Sequence, residues 1–191
     1  MTAFSPDPKQ ELRLLAKIKT RSLGLAYRCD ASQIICDLLS ELVKNAGITR
    51  VFTYYGKGCE AATKPFIEDC LASNVKVCLP VCFPKGMDFF EIDGLPLKEG
   101  RFGIPEPEPS GPPESPEPSD LFIVPAVALG RDGRRIGHGG GYYDRYLADS
   151  AAFKVGICFD AVLFDRLPSD GYDIPVDMII TETGVKPADV G

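Results

Sequence analysis

The chain has one histidine, His138, and it lies inside a cluster of glycines. A Ser-His-Asp triad would have to be built around that residue, and no G-x-S-x-G nucleophile elbow accompanies it. None of the 7 cysteines, at 29, 36, 59, 70, 78, 82 and 158, forms a C-x-x-C pair. Metal-site spacing is therefore missing, and most of these thiols read as small buried hydrophobes in a reducing compartment. No apolar run approaches membrane-spanning length and the N-terminus lacks a signal-peptide core, so the expected location is the cytoplasm, with no membrane partner. Basic excess is missing too: the formal net charge is -6 and the pI about 4.9. That balance argues against a nucleic-acid partner, which needs a basic face, but leaves room for a small basic pocket. There is no internal repeat and no coiled-coil heptad pattern.

What the chain does have is concentrated in residues 134 to 147, Arg-Arg-Ile-Gly-His-Gly-Gly-Gly-Tyr-Tyr-Asp-Arg-Tyr-Leu. Gly137, Gly139, Gly140 and Gly141 let the backbone take positive φ and approach a bound group closely. Amides in such a stretch can converge on an anion. Arg134, Arg135 and Arg145 flank the glycines, and Tyr142, Tyr143 and Asp144 follow them. Phosphate, a flat ring and a metal ion suit that mixture, which points to a nucleotide site. The pattern is neither the G-x-G-x-x-G fingerprint nor the Lys-terminated P-loop, and a glycine-rich surface turn with a basic flank remains the alternative.

The 191 residues suit one domain, 1–191, with 45% hydrophobic and 25% charged residues. Residues 8 to 26 read as a helix after Pro8, with an apolar stripe of Leu12, Leu15 and Ile18 and with Lys9, Arg13 and Lys17 on another face. Asp30 to Asn45 reads as a second helix, capped by Asp30, closed by Gly47, and turned inward at Ile34, Leu38 and Leu42. Strands are expected at Ile48 to Tyr55, Val75 to Pro80, Leu121 to Pro125, Phe153 to Phe159 and Val176 to Thr181, and helices at Thr63 to Ala72 and Tyr142 to Ala148. Smaller pieces fall around Phe89 to Ile92 and Gly94 to Gly103. Residues 105–119, dominated by Pro, Glu, Ser and Gly, predict an exposed loop that does not pack. Helices alternate with apolar strands lacking period-two polarity. The pattern predicts an α/β fold, a three-layer α/β/α domain with a largely parallel, Rossmann-like central sheet. In such sheets ligands bind beyond the carboxyl ends of the strands, where the glycine loop falls.

Single candidates each carry a plainer reading. Lys9 and Arg13 share a helix face that is equally a solvated basic surface. Asp144, Asp173 and Asp177 are hard oxygen ligands of the kind Mg²⁺ takes beside phosphate, and equally caps or turn residues. Tyr142 and Tyr143, like Tyr54 and Tyr55, serve either a core or a pocket. Glu60 before a helix is also a charge favoured by the helix dipole.

Taken together, the motifs resemble the 5-formyltetrahydrofolate cyclo-ligase family, also called methenyltetrahydrofolate synthetases. Arg135 to Leu147 is similar to that family's signature, and Val124 to Gly133 to its entry strand and turn. Lys9 to Arg13, Glu60 to Thr63, Val77 to Pro80, Gly103 to Pro107 and Asp173 to Glu182 extend the similarity over nearly the whole chain. The resemblance implies an ATP- and Mg²⁺-dependent conversion of 5-formyltetrahydrofolate, polyglutamylated or not, to 5,10-methenyltetrahydrofolate through a phosphorylated formyl group. It implies that Lys9, Arg13, Arg135 and the segment Gly137, His138, Gly139, Gly140, Gly141, Tyr142 and Tyr143 hold ATP. Tyr55 and Glu60 would contact folate, with His138, Gly139, Gly140, Gly141 and Tyr142 touching it as well. Asp144 and Asp173 would hold Mg²⁺, and Arg135, Arg145 and Tyr142 would take part in catalysis. The protein is expected to act as a monomer.

The chain departs from the family pattern at His138, a position that varies among Arg, Tyr and others; at Gly140, where many members carry Lys or Gly, it lacks one possible cation. Its 105–119 loop is longer and more acidic, and Gly171-Tyr172 precede Asp173 where a His often stands. The competing classes are a non-catalytic folate- or nucleotide-binding module and an unrelated sugar-phosphate or acyl-CoA enzyme on a similar sheet.

Overall fold

The computed structural model describes residues 7–84, 86–100 and 103–189. Helix α1 (Pro8–Ser22) starts where the Asp7 carboxylate accepts the Lys9 amide at 3.0 Å, with Pro at its first turn. It ends earlier than the predicted residue 26, because Gly24 takes φ +77° and opens α2 (Leu25–Ala46). Asp30 therefore sits inside α2 and does not cap it. Gly47, left-handed at φ +65°, closes that helix as predicted.

The inward faces of both helices differ from the predicted stripes. In α2 the buried set is Ala31, Ser32, Ile35, Cys36, Leu39 and Val43, while Leu38 and Leu42 are half-buried and Ile34 is exposed. In α1, Ala16 and Thr20 are buried beside half-buried Leu12 and Arg13, and Leu15 and Ile18 face out. The α1 face that meets the protein is thus the one carrying Lys9 and Arg13. Polar partners across the interface, rather than hydrophobicity, set that choice.

A seven-stranded sheet forms the centre, in the order β12-β11-β9-β6-β1-β2-β3. Its parallel interior comprises β1 (Arg50–Phe52), β2 (Lys76–Cys82), β6 (Leu121–Pro125), β9 (Phe153–Ile157) and β11 (Met178–Thr181). Two antiparallel edges flank it, β3 (Met87–Ile92) and β12 (Gly184–Pro187). The first was expected only as a small piece, and the second not at all. Strand β6 is buried at all five positions, as expected of a strand covered on both faces. Helices α2 and α3 (Lys64–Ala72) pack together and onto the sheet. The six-residue α4 (Tyr142–Leu147) places Tyr143 and Tyr146 against a stack of Phe52, Phe89 and Phe122, whose centroids lie 5.1 to 5.6 Å apart. The observed architecture is the expected α/β one with a mostly parallel sheet. No helix among the described residues is long and apolar enough to cross a membrane.

Two smaller sheets complete the fold: β7 (Ala128–Gly130) with β8 (Arg135–Ile136) and β10 (Leu163–Phe164), and β4 (Lys98–Glu99) with β5 (Pro105–Glu106). The Pro/Glu-rich loop predicted over 105–119 is exposed along most of its length, but it does pack. Its first two residues are β5, Pro107 is buried, and Glu114 bridges Phe89. Arg50 clamps its far end, donating to Glu114 at 2.9 Å and to the buried Asp120 at 2.6 Å. A charge-assisted clamp and one strand pairing thus secure a segment whose side chains bring little hydrophobic contact. The expected small element over 94–103 falls partly outside the described residues.

Candidate active site

From β1 the chain crosses to β2 on one side, and from β6 to β9 and β11 on the other, so the sheet's topological switch lies between β1 and β6. A crevice opens there beyond the carboxyl ends of the strands. It holds a cavity of about 800 Å³ walled by Tyr54 and Tyr55 after β1, Pro80 and Cys82 on β2, Pro125 ending β6, and the whole glycine loop, 137–141.

One end of the cavity is ionic. The Lys9 ammonium lies 2.5 Å from Asp173 and 2.8 Å from Asp170. Burial works against the Asp173 charge, but hydrogen bonds from Lys9 and the Asp170 amide, with the positive charges of Lys9 and Arg135, hold its carboxyl below the usual range. Burial likewise opposes the Lys9 charge, and its two Asp partners raise its pKa nonetheless. Arg13 donates from Nε to the Gly137 carbonyl at 2.9 Å, which fixes α1 to the loop. The guanidinium of Arg135 is buried and reaches Asp144 Oδ1 at 2.6 Å, and the Ile174 amide donates to the same oxygen at 3.3 Å. The Arg135 Nε is buried with no hydrogen-bond partner among the described residues. An unsatisfied buried donor of this kind fits an anionic ligand.

The loop between these groups needs its glycines. Gly139 has φ +97° and Gly141 φ +64°. A Cβ on Gly140 would stand 2.8 Å from the Tyr142 ring, and one on Gly141 2.7 Å from an Arg145 nitrogen.

The other end is apolar, with Met87, Ile104 and Pro80 on its wall. Glu60 is held there from two sides: the Lys57 amide donates to Oε2 at 3.2 Å, and His138 Nε2 lies 3.1 Å from Oε1. The turn that leads to Glu60 is tight. A Cβ on Gly56 would lie 2.0 Å from the Ala61 carbonyl oxygen. The Thr63 hydroxyl ties both sides of the turn, donating to the Tyr54 carbonyl and accepting the Gly56 amide at 3.0 Å.

The structure brings Lys9, Arg13, Tyr55, Glu60, Arg135, the 137–143 segment, Asp144 and Asp173 to one cavity. Arg145 is the exception. It is exposed, off the cavity wall, and stacks its guanidinium 5.3 Å from the Tyr142 ring centroid. Tyr143 serves both of its expected roles, lining the cavity while packing edge-on against Phe89 and Phe122. Asp177 lies elsewhere, accepting the Lys154 amide at 2.7 Å. Asp144 and Asp173 each hold a basic side chain, and no three His, Cys, Asp or Glu side chains among the described residues gather as a ready metal site. Two carboxylates do suit Mg²⁺, which takes one or two from the protein and the rest from phosphate and water. Asp170, Lys57, Cys82 and Met87 also line the cavity and were not candidates from sequence. Only Asp170, three residues before Asp173, had a local signal.

The sequence model of the 5-formyltetrahydrofolate cyclo-ligase family matches residues 7–182. The chain belongs to that family. Among similar curated proteins, the 5-formyltetrahydrofolate cyclo-ligase of Mycolicibacterium smegmatis is 30% identical over 187 residues, covering 93% of this chain and 95% of that protein. The cyclo-ligase of Haemophilus influenzae is 26% identical over 91% of this chain and 97% of its own length. The NMR structure of Aquifex aeolicus 5,10-methenyltetrahydrofolate synthetase superposes with a TM-score of 0.84 at 31% identity, over 97% of this chain and 95% of that one. The matched residues include the glycine loop that walls the cavity between its ionic and apolar ends.

Proposed function

We propose that this protein converts 5-formyltetrahydrofolate to 5,10-methenyltetrahydrofolate with ATP and Mg²⁺, acting as one domain and as a cytoplasmic monomer. The observation that carries the reading is the polarity of the cavity. Lys9, Arg13 and the Arg135 Nε, unpaired among the described residues, stand at one end, Glu60 beside an apolar wall at the other, and the glycine loop runs between them. The relatives' names supply the folate and the ring closure.

ATP supplies a phosphoryl group to the formyl oxygen; nitrogen 10 then bonds to the formyl carbon, the carbon–oxygen bond breaks, and phosphate and the nitrogen-10 proton depart. Such chemistry asks the protein for positioning and charge neutralisation and for no protein nucleophile. Arg135 and Lys9 neutralise the polyphosphate, Arg13 locks α1 onto the loop, and the amides of Gly137 to Gly141 follow the phosphates. Asp144 and Asp173 would hold Mg²⁺, exchanging their present ion pairs as Lys9 and Arg135 turn to phosphate. Tyr142 and Tyr143 separate the phosphates from the ring system, with Arg145 bracing Tyr142. Tyr55 packs on the folate, and Glu60 accepts from the pterin's amino and ring N–H groups once His138 gives up its contact.

The test is the rise of methenyl absorbance when protein, Mg²⁺, ATP and 5-formyltetrahydrofolate are mixed, against an ATP-free control. An ATP-dependent rise is expected. A flat trace from folded protein that still binds folate moves the reading to a binding module.

A further inference from the structure

Four buried side-chain polar atoms have no hydrogen-bond partner among the described residues: Thr20 Oγ1, Thr53 Oγ1, Tyr54 OH and Arg135 Nε. Two of these residues, Tyr54 and Arg135, stand on the cavity wall. The Arg135 atom belongs to the ionic end. Tyr54 belongs to the other, two residues beyond β1 and beside Glu60, whose charge reaches its phenol. The residue is 4% exposed, and its backbone is pinned by the Thr63 hydroxyl. The Tyr54 hydroxyl is buried from water and has no hydrogen-bond partner among the described residues. Burial first, then the Glu60 charge, pushes its pKa well up, so the group keeps its proton and is a donor. A phenylalanine would fill the same space without the cost of an unmade hydrogen bond.

We propose that the Tyr54 hydroxyl is a recognition group for the substrate's pterin ring, donating to the 4-oxo oxygen while Glu60 accepts from the adjoining N–H groups. The proposal rests on the functional reading above and names the specificity within it. A carboxylate beside a hydroxyl donor presents acceptor, acceptor, donor. The amide edge of a 2-amino-4-oxo ring presents the complement: the 2-amino group and N3–H donate, and O4 accepts. In a 2,4-diamino pteridine the last two positions are reversed, N3 accepting and the 4-amino group donating, so the same pair meets it with mismatched groups. Sites that leave a buried polar group unpaired discriminate strongly against the ligand that fails to satisfy it.

The experiment compares Tyr54→Phe with wild type in the full chain. Three ligands are titrated at equilibrium, 5-formyltetrahydrofolate, Mg·ATP and a 2,4-diamino pteridine, and the melting temperature is recorded without ligand. Expected for the variant is a roughly tenfold weaker grip on 5-formyltetrahydrofolate, about 1.4 kcal/mol. Affinities for Mg·ATP and the diamino compound should be unchanged, and the melting temperature equal to wild type or higher by about 2–4 °C. A merely structural tyrosine would lower the melting temperature and weaken all ligands together, and that result overturns the proposal. So does unchanged folate affinity in a wild type that binds folate. A wild type that binds no 5-formyltetrahydrofolate overturns the functional reading, and this proposal with it.

Discussion

At the ionic end of the cavity nearly every charge already has an opposite partner, whereas the apolar end keeps a buried hydroxyl that is unpaired among the described residues. Lys9 holds two aspartates and Arg135 a third. Across the cavity, and among the described residues, the Tyr54 hydroxyl has no partner and Glu60 meets an amide and an exposed imidazole. The first end is a set of ion pairs that stabilises the unliganded fold and must be exchanged when a ligand arrives. The second is a fixed template whose cost is borne in advance. Charges can be parked on one another without losing their use, because a stronger counter-charge displaces the weaker. A hydroxyl that must read one atom has to be left vacant.

The contrast breaks most completely at Arg135. Arg135→Ala leaves Asp144 without its buried counter-charge, so unfolding in denaturant should show a loss of about 3 kcal/mol and turnover should fall on the order of 10²–10³-fold. The neutral pair Arg135→Gln with Asp144→Asn should recover stability and not turnover. Recovery of both would remove the phosphate role from the guanidinium.

The apolar end is tested next by Gly56→Ala, whose Cβ meets a carbonyl oxygen at 2.0 Å. The turn bearing Tyr54 to Glu60 must shift, at a cost of about 1–3 kcal/mol, and KM for 5-formyltetrahydrofolate should rise while that for ATP holds. A rise in both constants alike would mean that the two ends are not independent.

Lys9→Ala should raise KM for ATP about tenfold, the worth of one charge-assisted contact, and leave that for folate nearly unchanged. The same variant carries a pH signature. Asp173 titrates below its usual range in the folded protein, so its contribution to stability is full above its unfolded pKa and is lost as pH falls through the folded one. Removing Lys9 should flatten that part of the acid limb of a pH–stability curve. An unchanged limb would show that the pairing adds nothing. His138→Ala should have the smallest effect. The His138 side chain is 58% exposed, and its release of Glu60 should lower KM for folate by about threefold or less.

How far the sequence foretold this depends on the range of the forces involved. The glycine loop, with Asp144 and Tyr142 behind it, was legible because its chemistry is local. The interior strands were legible because total burial writes a continuous apolar run, as in Leu121 to Pro125. The phase of α2 was misread by one residue, since Ile34 and Ile35 are both apolar and only tertiary packing selects Ile35. The small β7–β8–β10 sheet escaped notice because two- and three-residue strands have no period. Lys9 and Arg13 were visible as a pair, but nothing near them announced Asp170 or the Gly137 carbonyl. Tyr54 read equally as core or pocket, and the structure shows why: its ring is buried like core while it also walls the cavity.

The bond between Lys9 and Asp173 spans 164 positions of sequence. During synthesis α1 emerges long before the segment that holds its lysine, so this pairing waits until Asp173 has left the ribosome. Contacts of such separation form late, since the loop they close is costly until the rest is in place. A chain stopped before residue 173 would keep the Arg13 bond to Gly137 that docks the helix, and would lack the carboxylate that orients Lys9.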